Sequence, residues 1–156
     1  EQIHDGQIEV EQFDAHHYLL TPMPVEDNPM RNMQQIMQHL QSAWEHSSYK
    51  AGCGSYISLE KALNGQFEVY DGVFTPVDPQ DDDSLFLLRP AGQYLCGYSV
   101  GSWDKLPELY SSMISYAKEH RFALTGNCYE IGLNEFAISR PEEYVARVSI
   151  LIDPKQ

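Results

Sequence analysis

The order of secondary-structure signals constrains this chain most, because the same order occurs twice. Apolar and alternating segments predict strands at residues 7–20, 54–59, 67–74, 85–88, 94–100, 128–136 and 144–152. A helical pattern interrupts the strands once in each half, so each half gives a strand, a helix and two further strands, and the second half has an additional strand-like segment at 85–88. Helices confined to one face of antiparallel strands predict an α+β fold.

Both helical patterns have recognisable starts and apolar faces. The first helix is predicted to begin at Asn28-Pro29, because Asn caps a helix N-terminus and Pro needs no N–H partner there. Its apolar residues recur every three or four positions: Met30, Met33, Ile36, Met37, Leu40 and Trp44. The second helix is predicted from about residue 102 to 120. We expect the methionine-rich face of the first helix to belong to the core.

The length of 156 residues predicts one domain. Its first repeat covers about residues 7–77, an acidic connection 78–83 and the second repeat about 84–153. No apolar run is long enough to span a membrane, and no signal peptide is visible at the start. We therefore expect a cytoplasmic protein without membrane contact, and the missing initiator Met suggests a fragment of a longer chain.

The net charge of -13 disfavours nucleic acid as a direct partner, because binding to phosphates depends on Lys and Arg. The three cysteines Cys53, Cys96 and Cys128 form no CxxC pair, and an odd number predicts reduced thiols. The six histidines show no ligand spacing such as HExxH. We predict neither a metal site nor a cofactor.

Glu130 is the most unusual residue of the predicted strands. It lies in the segment Gly126–Leu133 among apolar and small residues, and a buried carboxylate needs a partner. A dry Glu130 would have a raised pKa, and an entering cation would lower it again. The alternative is a Glu130 side chain on a solvated face or at a sheet edge.

Aromatic residues could supply the walls of such a site. Tyr94 and Tyr98 share one side of their strand by alternation, and Tyr56 lies on another predicted strand. Tyrosine rings attract cations, so several of them around Glu130 would suit a lipophilic cation. The alternative is that these tyrosines are ordinary half-buried sheet residues.

The second half resembles a known family in an ordered set of motifs. These are Gly92-Gln93-Tyr94-Leu95, Gly101-Ser102-Trp103-Asp104-Lys105-Leu106-Pro107-Glu108-Leu109-Tyr110, Gly126-Asn127-Cys128-Tyr129-Glu130-Ile131 and Pro141-Glu142-Glu143-Tyr144-Val145-Ala146-Arg147-Val148-Ser149-Ile150. They look like the GyrI-like, or bacterial transcription-activator effector-binding, domain. That domain forms the C-terminal part of MerR-type regulators such as BmrR.

The resemblance implies a fold and a site. The two repeats would be related by a pseudo-two-fold axis, with a ligand cleft between them. Glu130 matches the acidic residue that receives cationic drugs, and Tyr144 matches an aromatic position of the same pocket. The resemblance extends this set to Tyr56, Tyr94, Tyr98 and Trp44.

The resemblance also implies partners and alternatives. The effector would be a small aromatic molecule, either cationic or neutral, and DNA would be bound only through a missing N-terminal domain of a homodimeric regulator. Some GyrI-like proteins resemble hydrolases, in which Glu130 would be an acid or base, although the sequence shows no nucleophile–base pair. Gyrase-inhibitor relatives suggest a protein-binding module instead. A binding domain is the interpretation that we favour over an enzyme.

Overall fold

The computed structural model describes residues 3–23, 29–48, 50–67, 69–80, 86–134 and 140–154. They form eight strands and three α-helices, with two short 3₁₀ helices at 103–105 and 141–143. The strands are β1 (Ile8–Phe13), β2 (His16–Pro22), β3 (Gly54–Ser58), β4 (Gly72–Val77), β5 (Leu87–Arg89), β6 (Gly92–Val100), β7 (Leu124–Gly132) and β8 (Val145–Ile152). The helices are α1 (Pro29–Glu45), α2 (Leu59–Leu63) and α3 (Leu106–Glu119). Within these residues, no helix is both long and apolar enough to cross a membrane.

All eight strands belong to one antiparallel sheet with the order β1-β6-β8-β7-β3-β4-β2-β5. The central six strands consist of two equivalent groups, β6-β8-β7 and β3-β4-β2, which meet at the β3–β7 pair. In that pair Ser55 lies opposite Glu130 and Tyr56 opposite Tyr129. The structure therefore confirms the predicted duplicated α+β fold, with β3 and β7 at the centre.

The sheet bends so that its two ends approach each other. β1 and β2 are separated in the chain by Asp14 and Ala15 alone, although they stand near opposite ends of the strand order. Arg89 on the edge strand β5 donates to the carbonyl oxygen of Asp14 at 2.6 Å, and its guanidinium lies 4.8 Å from the ring centre of Phe13 in β1. One face of the sheet is thus concave and lined by aromatic rings.

The opposite face carries α3 and the larger apolar core. Alternation along β7 and β8 turns Cys128, Val148 and Ile150 toward this helix, and all three are fully buried. On β6 the backbone comes so close to α3 that a Cβ atom at Gly97 would lie 2.5 Å from the sulfur of Met113. Glycine is therefore the residue that permits this close packing.

The expectation that the methionine face of α1 is core is wrong. Met30, Met33 and Met37 are 70%, 57% and 55% exposed, whereas His39 and Ala43 are buried. His39 contacts the hydroxyl groups of Thr21 and Thr75 through its two ring nitrogens, at 2.5 and 2.8 Å. The helix therefore turns the side that carries His39, rather than the methionine side, toward the sheet, where His39 pairs with the two threonine hydroxyls. Asn28, the predicted cap, lies outside the described residues.

Several predicted strand boundaries differ from the structure. The region 7–20 forms two strands, and Leu59 begins a helix capped by Ser58, whose hydroxyl accepts from the N–H of Lys61 at 3.3 Å. The strand predicted at 67–74 begins only at Gly72, because the preceding residues cross the α3 side of the sheet. β7 begins at Leu124, and residues 135–136 of its predicted end lie outside the described residues.

Candidate functional site

Glu130 lies on the face of the sheet that α3 covers, and its side chain is almost entirely buried. Only 7% of the residue is exposed. The phenol of Tyr110 on α3 donates a hydrogen bond to Oε2 at 2.5 Å, and that of Tyr70 donates to Oε1 at 2.9 Å. The alternative of a solvated Glu130 is therefore wrong.

The environment of Glu130 favours the neutral carboxyl. Burial raises its pKa from the ordinary 4.5 to about 7, while the hydrogen bonds from Tyr110 and Tyr70 oppose this rise. No lysine, arginine or histidine of the described chain forms an ion pair with the carboxylate. Near neutral pH the group is therefore divided between its acid and its ionised form.

The two tyrosines reach Glu130 from different parts of the chain. Tyr110 is a residue of α3 and is fully buried between this helix and the sheet. The ring of Phe67 stacks on the Tyr110 ring, with 5.2 Å between the ring centres. Tyr70 lies in the connection between α2 and β4, which leaves the sheet at this point. The Tyr70 donor therefore depends on the first repeat crossing over the second, whereas Tyr110 belongs to the same repeat as Glu130.

A cavity of about 230 Å³ adjoins the Glu130 carboxylate where the two repeats meet. Small residues leave this space open, since Ser55 lies opposite Glu130 on β3 and Gly54 and Gly132 also line it. The remaining lining residues are Cys53, Tyr70, Leu106, Ile131, Tyr144 and Ala146. Both repeats contribute, so the cavity is a cleft between them.

The structure brings two of the six predicted site residues together. Glu130 and Tyr144 line the same cavity. Tyr56 packs on the concave face with Tyr129, because alternation on β3 turns Ser55 rather than Tyr56 toward α3. The expectation that Tyr56 surrounds Glu130 is therefore wrong.

The other three predicted residues also lie away from the carboxylate. Tyr94 and Tyr98 are on the concave face, where their phenols donate to the carbonyl oxygen of Pro90 and to the carboxylate of Glu11. Trp44 on α1 donates its indole N–H to the carbonyl oxygen of Ala51 at 2.9 Å. Each hydroxyl or N–H has a partner outside the Glu130 cavity.

Sequence reasoning missed Tyr70 and Tyr110, the two residues that contact Glu130 directly. Tyr110 lies in the apolar pattern of α3, one residue after Leu109, and could have been recognised as buried. Tyr70 carried no such signal, because its segment alternates like a strand. Its contact depends on the chain leaving the sheet.

Two observations concern metal binding in the described residues and the reactivity of the Cys128 thiol. No group of three or more His, Cys, Asp or Glu side chains within the described residues is arranged to hold a metal ion. Burial, with Glu130 as the second cause, raises the pKa of the Cys128 thiol to about 12. Such a thiol stays protonated and is a poor nucleophile.

Solved structures with the same fold include proteins of different kinds. The C-terminal domain of EcmrR has a TM-score of 0.66 at 10% identity, covering 95% of this chain and 98% of that chain. In an EcmrR–DNA complex the TM-score is 0.65 at 11% identity, covering 94% of this chain but 57% of that chain. A hydrolase from Listeria innocua follows, with a TM-score of 0.56 at 11% identity and coverage of 96% and 93%.

A further similar structure is SAV2435 bound to tetraphenylphosphonium, with a TM-score of 0.53 at 13% identity and coverage of 96% and 95%. At these identities the likeness establishes the fold alone. Comparison with the curated proteins gives no match. The family model described as the GyrI-like small molecule binding domain matches residues 8–153, so this chain belongs to the GyrI-like family.

Proposed function

We propose that this domain binds a small organic cation in the Glu130 cavity and acts as the effector-binding domain of a transcription regulator. The observation that carries the proposal is a buried Glu130, 7% exposed as a residue, whose carboxylate has no cationic partner within the described chain and which lines an open cavity. Isolated buried carboxylates are costly, and a bound cation would remove that cost.

The lining supports a ligand that combines positive charge with apolar surface. Tyr70 and Tyr144 offer aromatic walls, while Leu106, Ile131 and Ala146 are apolar. Burial of apolar ligand surface contributes roughly 25 cal/mol per Å², and the charge pair with Glu130 adds selectivity. A similar structure, SAV2435, is bound to tetraphenylphosphonium, which is such a cation.

The cavity size narrows the ligand class. About 230 Å³ lies below the range of about 300–1,000 Å³ that is typical of drug-sized ligands. The site therefore suits a single aromatic ring with an attached ammonium group. A larger cation would need the side chains at the mouth of the cavity to move.

A matched pair of ligands tests the charge requirement. Benzyltrimethylammonium and the neutral 2-methyl-1-phenyl-2-propanol have nearly the same shape, and calorimetry at pH 8 measures their affinities. We expect the cation to bind at least about tenfold more tightly, and Glu130→Gln to abolish that preference. Glu119→Gln removes the same charge from an exposed position of α3 and should change neither affinity. Equal affinity of both ligands for the wild-type domain would refute the proposal.

The regulatory part of the proposal rests on family and charge. EcmrR, whose C-terminal domain has this fold, is known in a complex with DNA. The present segment has a net charge of -13, so DNA contact would come from a further N-terminal domain in a homodimer. Promoter binding or transcription by the full-length protein should change on addition of the cation, and Glu130→Gln should remove that response.

A hydrolase is the second candidate, favoured by the acid–base character of Glu130. A carboxyl with a pKa of about 7 and two phenol donors suits proton transfer at neutral pH. Release of p-nitrophenol from p-nitrophenyl acetate tests this activity. Turnover that Glu130→Gln abolishes and Glu119→Gln preserves would support it, and rates equal to the uncatalysed reaction would exclude this substrate class.

A further inference from the structure

A second cavity of about 200 Å³ opens on the concave face, on the other side of the sheet from Glu130. Its polar lining includes His16 from β2, Arg89 from β5 and Arg147 from β8. Tyr18, Phe74 and Tyr129 form its aromatic wall, with ring centres 4.7 to 5.2 Å apart. The Glu130 cavity combines apolar surface with an acidic group, whereas this cavity combines apolar surface with basic groups.

Each of the three basic residues leaves one buried nitrogen without a hydrogen-bond partner. These atoms are Nε2 of His16, Nε of Arg89 and Nε of Arg147. Buried polar atoms without partners are rare in folded proteins, because each loses its hydrogen bonds to water without a replacement. Three residues of one cavity carry such an atom, and within the described residues none of these atoms finds a partner.

Arg89 is held in place by groups other than a carboxylate. Only 9% of it is exposed, and its terminal nitrogens donate to the Tyr18 hydroxyl at 2.7 Å and to the Asp14 carbonyl oxygen at 2.6 Å. Arg147 lies over the ring of Phe13, 4.9 Å from its centre. Within the described residues neither guanidinium forms an ion pair with a carboxylate.

We propose that this concave-face cavity binds a small aromatic carboxylate. The carboxylate would pair with the guanidinium groups of Arg89 and Arg147, whose side chains line the cavity, since guanidinium groups recognise carboxylates with strong charge-assisted bonds. The ring would lie against Tyr18, Phe74 and Tyr129. The site is separate from the Glu130 cavity and does not depend on the function proposed for it.

The charge distribution favours a monoanion with an apolar body. The net charge of -13 repels anions at long range, and it repels a doubly charged phosphate more than a carboxylate. Three carboxylates act on groups of this face, and all three are already engaged. Glu9 accepts from the side-chain amide of Gln7 at 3.1 Å. Glu11 accepts from the Tyr98 hydroxyl, and Asp78 accepts from the backbone N–H of Ser48.

Benzoate, benzamide and acetate are the probes that separate the two components of binding. Calorimetry of the wild-type domain should show saturable benzoate binding, with benzamide and acetate each at least about tenfold weaker. Benzamide lacks the negative charge and acetate lacks the ring. Benzamide binding as tightly as benzoate, or no saturable benzoate binding, would overturn the proposal.

Arg147 variants locate the site. Arg147→Gln should weaken benzoate binding at least about tenfold, and Arg147→Lys, which keeps the charge without Nε, should give an intermediate loss. Arg140→Gln removes the same charge from an exposed position and should leave the affinity unchanged. If Arg147→Gln does not fold, the Arg147→Lys result alone decides. Wild-type affinity in the Arg147 variants would mean that benzoate binds elsewhere, and would overturn the proposal.

Discussion

The burial of Glu130 should make the stability of the domain depend on pH in a calculable way. The carboxyl has an ordinary pKa of 4.5, which applies to the unfolded chain, and a pKa of about 7 in the folded protein. Between these values the folded protein binds more protons than the unfolded chain, so stability falls as the pH rises. At about 1.4 kcal/mol for each pH unit, the ionised group destabilises the fold by about 3 kcal/mol above pH 8.

Urea unfolding of wild type and Glu130→Gln at several pH values measures this effect. The amide that replaces the carboxyl in the variant does not titrate, so the difference between the two proteins isolates the carboxyl from every other group. Between pH 5 and pH 9, the free energy of unfolding of wild type should fall by about 2.5 kcal/mol relative to the variant. The reference variant Glu119→Gln should run parallel to wild type, because Glu119 is exposed.

The pH dependence of the stability difference between wild type and Glu130→Gln decides whether Glu130 is buried and unpaired. A difference that does not change with pH would mean that Glu130 is hydrated in the folded protein. A wild type that gains stability toward pH 9 would mean that a cationic group compensates the carboxylate. With saturating benzyltrimethylammonium, the pH dependence should shrink, because the bound cation lowers the pKa of Glu130.

Three further perturbations test the surroundings of the site and the packing of the two repeats. Tyr110→Phe removes a donor to the carboxylate and should raise the Glu130 pKa above about 7 in a side-chain NMR titration, whereas Tyr116→Phe should not move it. Gly54→Ala places a Cβ atom 2.2 Å from the carbonyl oxygen of Glu130 and should cost about 3 kcal/mol in thermal unfolding, against little change for Ser55→Ala. Burial lowers the pKa of His39 below its ordinary 6.5, so the folded protein should lose stability as the pH falls below about 6.5. Denaturant titrations of His39→Gln should not show this loss, because the amide does not titrate.

The duplicated fold was predictable because its signals are local. The strand of Glu130 and the helix beginning near Leu106 are marked by apolar periodicity, and the second half repeats the order of the first. The importance of Glu130 was also predictable, since a carboxylate among strand residues must find a partner. The face of the sheet on which Glu130 lies was not predictable. Alternation fixes which residues share a side of a strand, but not which side the helices cover.

The tyrosines were assigned to the wrong neighbours for the same reason. Tyr94 and Tyr98 share a face, as alternation predicted, but that face is the concave one. Tyr70 reaches Glu130 only because the chain leaves the sheet before Gly72, where a Cβ atom would lie 2.3 Å from the carbonyl oxygen of Thr21. A pattern of alternating residues cannot distinguish a strand of the sheet from an extended segment that crosses over the sheet.

The first helix shows how a partner surface can override apolar periodicity. Its methionines satisfy the spacing of a buried face, yet Met30 is 70% exposed while His39 is buried. The sheet below α1 presents the hydroxyl groups of Thr21 and Thr75, and a buried hydroxyl without a partner costs about 1–3 kcal/mol. Turning His39 inward satisfies both hydroxyls.

The two cavities place opposite charges on the two faces of one sheet. Glu130 and Tyr129 are neighbours on β7, yet one lines the cavity toward α3 and the other lines the cavity with Arg89 and Arg147. Among the described residues, the linings thus present a carboxylate on one side and basic groups on the other. A ligand in either cavity contacts β7, the strand that joins the two repeats through β3. Ile131 on the same strand lines both cavities, so β7 is an element that they share.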